Sequence, residues 1–143
     1  MIRPVLLVED SEDDSEILIH ALKKAGVGNP IFTVQTGEKA IAYLKGDKEF
    51  ADRQRFPLPG VVLLDLNLPK INGFEFLKWL STQPQLSGLF VVVLSGYNEI
   101  SHVGRAYALG ARSFLVKPLQ HQDIFNLVRT YHIQCFGCSP PTG

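Results

Sequence analysis

The sequence has few cysteines, no long apolar run and no excess charge of either sign. Cys135 and Cys138 are its only cysteines, which favours a reducing compartment such as the cytosol. No apolar run approaches the roughly 20 residues that span a bilayer. The start of the chain lacks the basic and apolar regions of a secretory leader. The 14 basic and 14 acidic residues balance, which argues against a dedicated nucleic-acid binder. We therefore expect a cytoplasmic protein that binds neither DNA nor membranes.

Short apolar runs alternate with segments of helical spacing along the whole chain. Runs rich in branched residues cover residues 4–8, 30–34, 61–64, 90–94 and 113–116. This alternation predicts an α/β fold with a five-stranded parallel sheet and helices on both faces. The length fits one domain, which we place at residues 1–133. Residues 134–143 contain Gly, Ser and two prolines and are predicted to form a flexible tail.

Polar side chains follow four of the five predicted strands. Glu9 and Asp10 follow the first, Asp65 the third, Ser95 the fourth and Lys117 the fifth. In a parallel sheet these positions meet at the edge formed by the carboxyl ends of the strands, which we call the carboxyl edge. Open α/β sheets bind their ligands there.

Three carboxylates at one edge indicate a cation. Glu9, Asp10 and Asp65 would repel one another unless a cation joined them or one took up a proton. Oxygen ligands and a small number of protein groups suit Mg²⁺. Asn67 lies two residues after Asp65, where its backbone carbonyl could complete the protein ligands.

The segment around Ser11 to Asp14 has the pattern of a helix N-cap followed by an acidic first turn.

The other two side chains indicate phosphoryl transfer onto a carboxylate. Lys117 supplies a positive charge that can pair with Asp65 or with a phosphoryl group. Ser95 supplies a hydroxyl donor. A carboxylate, a divalent cation, a lysine and a hydroxyl together position and neutralise a phosphoryl group.

With these residues the chain resembles the receiver domain of two-component response regulators, over about residues 2–131. The matching features are the acidic pair Glu9 and Asp10, the run from Leu64 to Pro69, Gly73, Ser95 before a small residue, and Lys117 before Pro118. The resemblance implies a flavodoxin-like (βα)5 fold with strand order 2-1-3-4-5. It also implies a cis peptide bond between Lys117 and Pro118.

The resemblance assigns a role to each site residue. Asp65 is expected to accept a phosphoryl group from a phosphohistidine. Glu9, Asp10, Asp65 and the Asn67 carbonyl are expected to bind Mg²⁺, and Ser95 and Lys117 to contact the phosphoryl oxygens. Ser95 and the aromatic Phe114 are expected to act as the switch that reorients on activation. The chain would then catalyse only its own phosphorylation and dephosphorylation.

The resemblance also implies partners. The donor would be a sensor histidine kinase or a histidine phosphotransfer protein. The long segment from Gly46 to Gly60 is similar to that of stand-alone regulators that serve bacteriophytochromes and cyanobacterial phytochromes. Output would pass through an unknown downstream protein or a homodimer, at the surface of the fourth helix, fifth strand and fifth helix.

Three alternatives compete with this interpretation. A small phosphohydrolase using an aspartyl phosphate commonly has a second Asp where this chain has Asn67, which cannot shuttle a proton. A flavin carrier of the same fold needs a phosphate-binding loop, whereas Glu9 to Asp13 would repel phosphate. A degenerate receiver that binds partners without phosphorylation is disfavoured by the complete set of site residues.

Overall fold

The computed structural model describes residues 3–96 and 101–131 of the chain. Five strands alternate with five helices. The strands are β1 (Val5–Val8), β2 (Ile31–Val34), β3 (Val61–Asp65), β4 (Phe90–Gly96) and β5 (Ser113–Lys117). The helices are α1 (Glu12–Lys24), α2 (Gly37–Lys45), α3 (Gly73–Ser81), α4 (Val103–Ala108) and α5 (His121–Tyr131). All neighbouring strands pair in parallel, in the order β2-β1-β3-β4-β5, which confirms the predicted fold.

The sheet is buried on both faces, which explains its nearly continuous apolar strands. Alternate residues of each strand enter different cores, so Leu6 and Leu64 lie in one and Leu7 and Leu63 in the other. The first core includes residues of α2, α3 and α4, and the second includes residues of α1 and α5. This two-sided burial leaves the carboxyl edge as the place where polar side chains can gather.

The segment between α2 and β3 packs against the domain through aromatic rings. Its 3₁₀ turn, Lys48–Phe50, contributes Phe50, and Phe56 follows. The rings of Phe50 and Phe56 contact each other and Tyr43 of α2, with centroids 5.1–6.0 Å apart. Arg53 donates to the carbonyls of Tyr43, Leu44 and Phe56 at 2.8–3.0 Å. The segment is therefore fastened to the last turn of α2.

Several local expectations are tested by this fold. The peptide bond between Lys117 and Pro118 is cis, as predicted. Tyr43 on α2 is fully buried, whereas Ile17 on α1 is 40% exposed. Among the described residues no helix is both long and apolar enough to cross a membrane. The tail and its cysteines, Cys135 and Cys138, lie outside the described residues, and the cytoplasmic location stays a prediction.

Candidate phosphoryl-acceptor site

The strand register brings the predicted residues to the carboxyl edge. Val8, the last residue of β1, pairs with Leu64 of β3. Glu9, which follows β1, and Asp65, which ends β3, therefore lie side by side. Asp65 pairs with Leu94, and Lys117 of β5 pairs with Gly96. The three chain segments that carry Glu9, Asp65 and Lys117 therefore end close together although they are far apart in sequence.

Lys117 connects the acidic side chains. Its Nζ donates to Glu9 Oε2 at 2.8 Å and to Asp65 Oδ2 at 2.9 Å. It also lies 3.0 Å from Asp14 Oδ2. The side chains of Glu9 and Asp65 are 0% and 5% exposed, whereas Lys117 is 21% exposed. These contacts thus lie largely out of water, where charge pairs interact more strongly.

Three carboxylates at this edge have the spacing of a cation site. Glu9, Asp10 and Asp65 each offer an oxygen, and these oxygens lie within 4.8 Å of one another. Glu9 and Asp65 are buried, and Asp10 is exposed. A donor set made only of carboxylate oxygens, open to solvent on one side, fits a hard divalent cation that keeps several waters.

The pKa values of Glu9 and Lys117 reflect burial first and neighbouring charges second. Burial raises the pKa of Glu9 to about 7, with a further rise from the Asp65 carboxylate and an opposing effect from Lys117. Burial works to lower the pKa of Lys117, but its hydrogen bonds to Glu9, Asp65 and Asp14 raise it above the usual value. The lysine therefore stays charged, while the metal-free site favours a proton on Glu9.

The backbone after β3 fixes the second oxygen of Asp65. Its Oδ1 accepts the N–H of Asn67 at 2.9 Å. Gly73, the first residue of α3, packs directly behind this turn, where a Cβ would lie 2.6 Å from Leu66 Cα and 2.9 Å from Asp65 O. Asn72 is the N-cap of α3, and its side chain accepts the N–H of Glu75 at 3.0 Å.

Ser95 lies near the end of β4, where it pairs with Val116, and Phe114 lies on β5 three residues before Lys117. Ser95 is fully buried, and its hydroxyl donates to the Gly96 carbonyl at 3.3 Å. Phe114 is half-buried on β5, with its ring edge-on to Tyr107 of α4 at 6.1 Å. The phosphoryl-contact and switch roles of these residues stay predictions.

Among the described residues, Asp14 is a contact of Lys117 that the sequence analysis missed. Its position in the first turn of α1 was explained by the favourable interaction of acids with a helix N-terminus. The available signal was Ser11, three residues earlier, because an N-cap hydroxyl accepts the backbone N–H of the third helical residue and so fixes where the helix begins. Ser11 Oγ does accept the N–H of Asp14 at 3.2 Å.

Comparisons with known proteins agree with this geometry. The family model described as the response regulator receiver domain matches residues 5–129. The response regulator Rcp1 of Synechocystis sp. is 34% identical over 125 residues, covering 87% of this chain and 83% of Rcp1.

Solved structures with the same fold include regulators linked to light sensing. The structure of RPA3017, a response regulator in red light signalling of R. palustris, has a TM-score of 0.82 and 32% identity, with 99% of both chains covered. The Mn²⁺-bound form of Rcp1 has a TM-score of 0.77 and 30% identity, with 99% of both chains covered. The phosphorylated cyanobacterial phytochrome response regulator RcpA has a TM-score of 0.79 and 29% identity, covering 99% of this chain and 100% of RcpA. The chain therefore belongs to the family of response regulator receiver domains.

Proposed function

We propose that this chain is a phosphoacceptor of a two-component phosphorelay and that Asp65 receives the phosphoryl group. The observation that carries the proposal is the environment of Asp65. Its carboxylate is buried at the end of a central strand, accepts a hydrogen bond from Lys117 at 2.9 Å, and shares a cluster with Glu9 and Asp10. The phosphorylated form of RcpA supports the same chemistry in a relative.

The reaction transfers phosphorus from nitrogen to oxygen. A carboxylate oxygen of Asp65 attacks the phosphorus of a phosphohistidine, and an acyl phosphate forms as the P–N bond breaks. The bonding pair goes to the ring nitrogen, and a donor ring protonated at its other nitrogen leaves as neutral imidazole. No residue of this chain has to supply a proton. In this proposal, Lys117 and the Ser95 hydroxyl offset charge on the phosphoryl oxygens.

The cation in this proposal is Mg²⁺. Glu9, Asp10, Asp65 and the backbone carbonyl of Asn67 would hold it, and the oxygen-only donor set is the support for this choice. When bound, it supplies positive charge next to the phosphoryl oxygens. The Mn²⁺ in the relative Rcp1 supports a divalent cation in this family.

The proposed partners follow from the family. The donor is a sensor histidine kinase of the bacteriophytochrome type or a histidine phosphotransfer protein, supported by similarity to the bacteriophytochrome response regulators RtBRR and AtBRR. Ser95 and Phe114 form the proposed switch. Its output is a changed surface for an unknown downstream protein or for a homodimer. The receiver domain is proposed to cover residues 1–133.

Intact-mass spectrometry with acetyl phosphate tests the phosphoacceptor role. Wild-type protein in Mg²⁺ is expected to gain one phosphoryl group, and the gain should disappear with excess EDTA. Asp65→Asn keeps the side-chain shape but removes the nucleophile, and it should gain none. Equal labelling of wild type and Asp65→Asn would exclude Asp65 as the acceptor.

A further inference from the structure

Asp14, the third residue of α1, does not complete a capping box with Ser11. In the common capping box, the side chain of the third helical residue accepts the N–H of the N-cap residue. Here the N–H of Ser11 is directed to Glu9 Oε1, at 3.2 Å. The N–H of Asp14 is held by Ser11 Oγ, and the Asp14 carboxylate points to Lys117 Nζ at 3.0 Å. The Asp14 carboxylate therefore contacts Lys117 and not the N–H of Ser11.

Asp14 differs from the other two partners of Lys117 in its relation to the cation site. Glu9 and Asp65 belong to the three-carboxylate cluster, and Asp14 does not. A divalent cation in that cluster draws on both carboxylates and repels the ammonium group. Asp14 is then the partner within the described residues that can still hold Lys117 Nζ.

We propose that Asp14 is a positioning residue for Lys117. It keeps the ammonium at the carboxyl edge when a cation occupies Glu9, Asp10 and Asp65, so that the charge is in place for the phosphoryl oxygens. The role of Asp14 in phosphoryl transfer rests on the proposed phosphoacceptor function. The contact between Asp14 and Lys117 can be measured separately from that function.

The first test measures the reactivity of Lys117 and needs no phosphorylation. Wild type, Asp14→Asn and Asp13→Asn are treated with acetic anhydride in Mg²⁺, and acetylation of Lys117 is compared by peptide mass spectrometry with that of the exposed Lys39. Asp14→Asn should raise Lys117 acetylation about 3- to 10-fold. This effect is at the low end of what the loss of a charge-assisted hydrogen bond causes, because the Asp14 side chain is 32% exposed. Asp13→Asn removes the same charge from the same turn and should change it less than about 2-fold.

The second test measures the rate of phosphorylation by acetyl phosphate. Asp14→Asn should lower the maximal rate about 3- to 10-fold, while its half-saturating Mg²⁺ concentration matches that of Asp13→Asn. Combined with Lys117→Met, Asp14→Asn should cause no further loss, because the residue acts through the lysine. If Asp14 had only a structural role, Asp14→Asn would lower the phosphorylation rate by the same factor in wild type and in Lys117→Met.

Two results would overturn the proposal: Lys117 acetylation that is unchanged in Asp14→Asn, or a rate loss that persists in full beside Lys117→Met. Failure to label the wild type would instead count against the phosphoacceptor function. The acetylation result would still decide whether Asp14 holds Lys117.

Discussion

Lys117 carries one positive charge and faces three carboxylates, so the metal-free site is overcrowded with negative charge. Burial, and to a smaller extent the Asp65 carboxylate, raises the pKa of Glu9 to about 7. The strand ends were sufficient to predict Glu9, Asp10, Asp65 and Lys117, because a parallel sheet brings them to one edge. They could not predict that Asp14, a residue of helix α1, would contact Lys117 beside this cluster.

The raised pKa of Glu9 makes the stability of the metal-free protein depend on pH. The folded-state pKa of about 7 lies above the usual 4.5, so the folded protein binds more protons than the unfolded chain between these values. Its contribution is complete below about pH 4.5 and is lost as pH rises through about 7. In EDTA, the unfolding free energy of wild type should fall over this window relative to Glu9→Gln, on the order of 1–3 kcal/mol.

Urea unfolding at pH 5, 6, 7 and 8 would measure this difference. Glu9→Gln is the matched control because its side chain cannot titrate. Parallel curves of unfolding free energy against pH for the two proteins would contradict the raised pKa.

Two elements are held by close contacts with their neighbours. The start of α3 lies against the turn after Asp65, which only a residue without a Cβ allows. The segment after α2 is held by Arg53 and by packed aromatic rings. The alternation of apolar runs with segments of helical spacing predicted that α2 and α3 exist. It could not predict these two contacts, because they depend on how neighbouring elements meet.

Gly73→Ala should damage both stability and the site. Its Cβ would meet the backbone of Leu66 and Asp65, which cannot move as a flexible side chain can. The expected loss of unfolding free energy is about 1–3 kcal/mol, with slower phosphorylation. Gly104→Ala is the control, since a Cβ there meets nothing within 4 Å on helix α4. Equal stability of the two variants in urea would show that the close approach is not important.

Arg53→Met should loosen the segment between α2 and β3. The change removes the hydrogen bonds to the carbonyls of Tyr43, Leu44 and Phe56, two of which lie in the last turn of α2. We expect a loss of about 1–3 kcal/mol and faster amide exchange in residues 46–60. Arg55→Met, at an exposed position of the same segment, is the control. Exchange rates as slow as in wild type would contradict the fastening role of Arg53.

The molecule as a whole places its site and its predicted output surface on neighbouring elements. β5 carries Lys117 at its end and Phe114 three residues earlier, and Phe114 contacts Tyr107 of α4. Arg105 of α4 lies over the ring of Phe74 at the start of α3, with 4.3 Å between guanidinium and ring centroid. The sheet order and two-sided core followed from the strand–helix alternation, but these ring contacts across elements required the structure.

Phosphorylation should therefore change α4, β5 and α5 more than the rest of the chain. A switch of this kind usually shifts an equilibrium by about 1–3 kcal/mol, or roughly 5- to 150-fold in partner affinity. Amide hydrogen exchange with the phosphoryl mimic beryllium fluoride should change protection in residues 101–131. Asp65→Asn under the same conditions is the control and should show no change. Protection changes confined to residues 46–60 would place the output surface elsewhere.

The account depends most on Asp65 as the residue that carries the phosphoryl group, and chemical trapping tests this directly. Borohydride reduces an aspartyl phosphate to homoserine, which peptide mass spectrometry locates by residue. After phosphorylation in Mg²⁺, we predict homoserine at position 65 alone. Homoserine at Asp10 or Asp14, with Asp65 unmodified, would contradict the account.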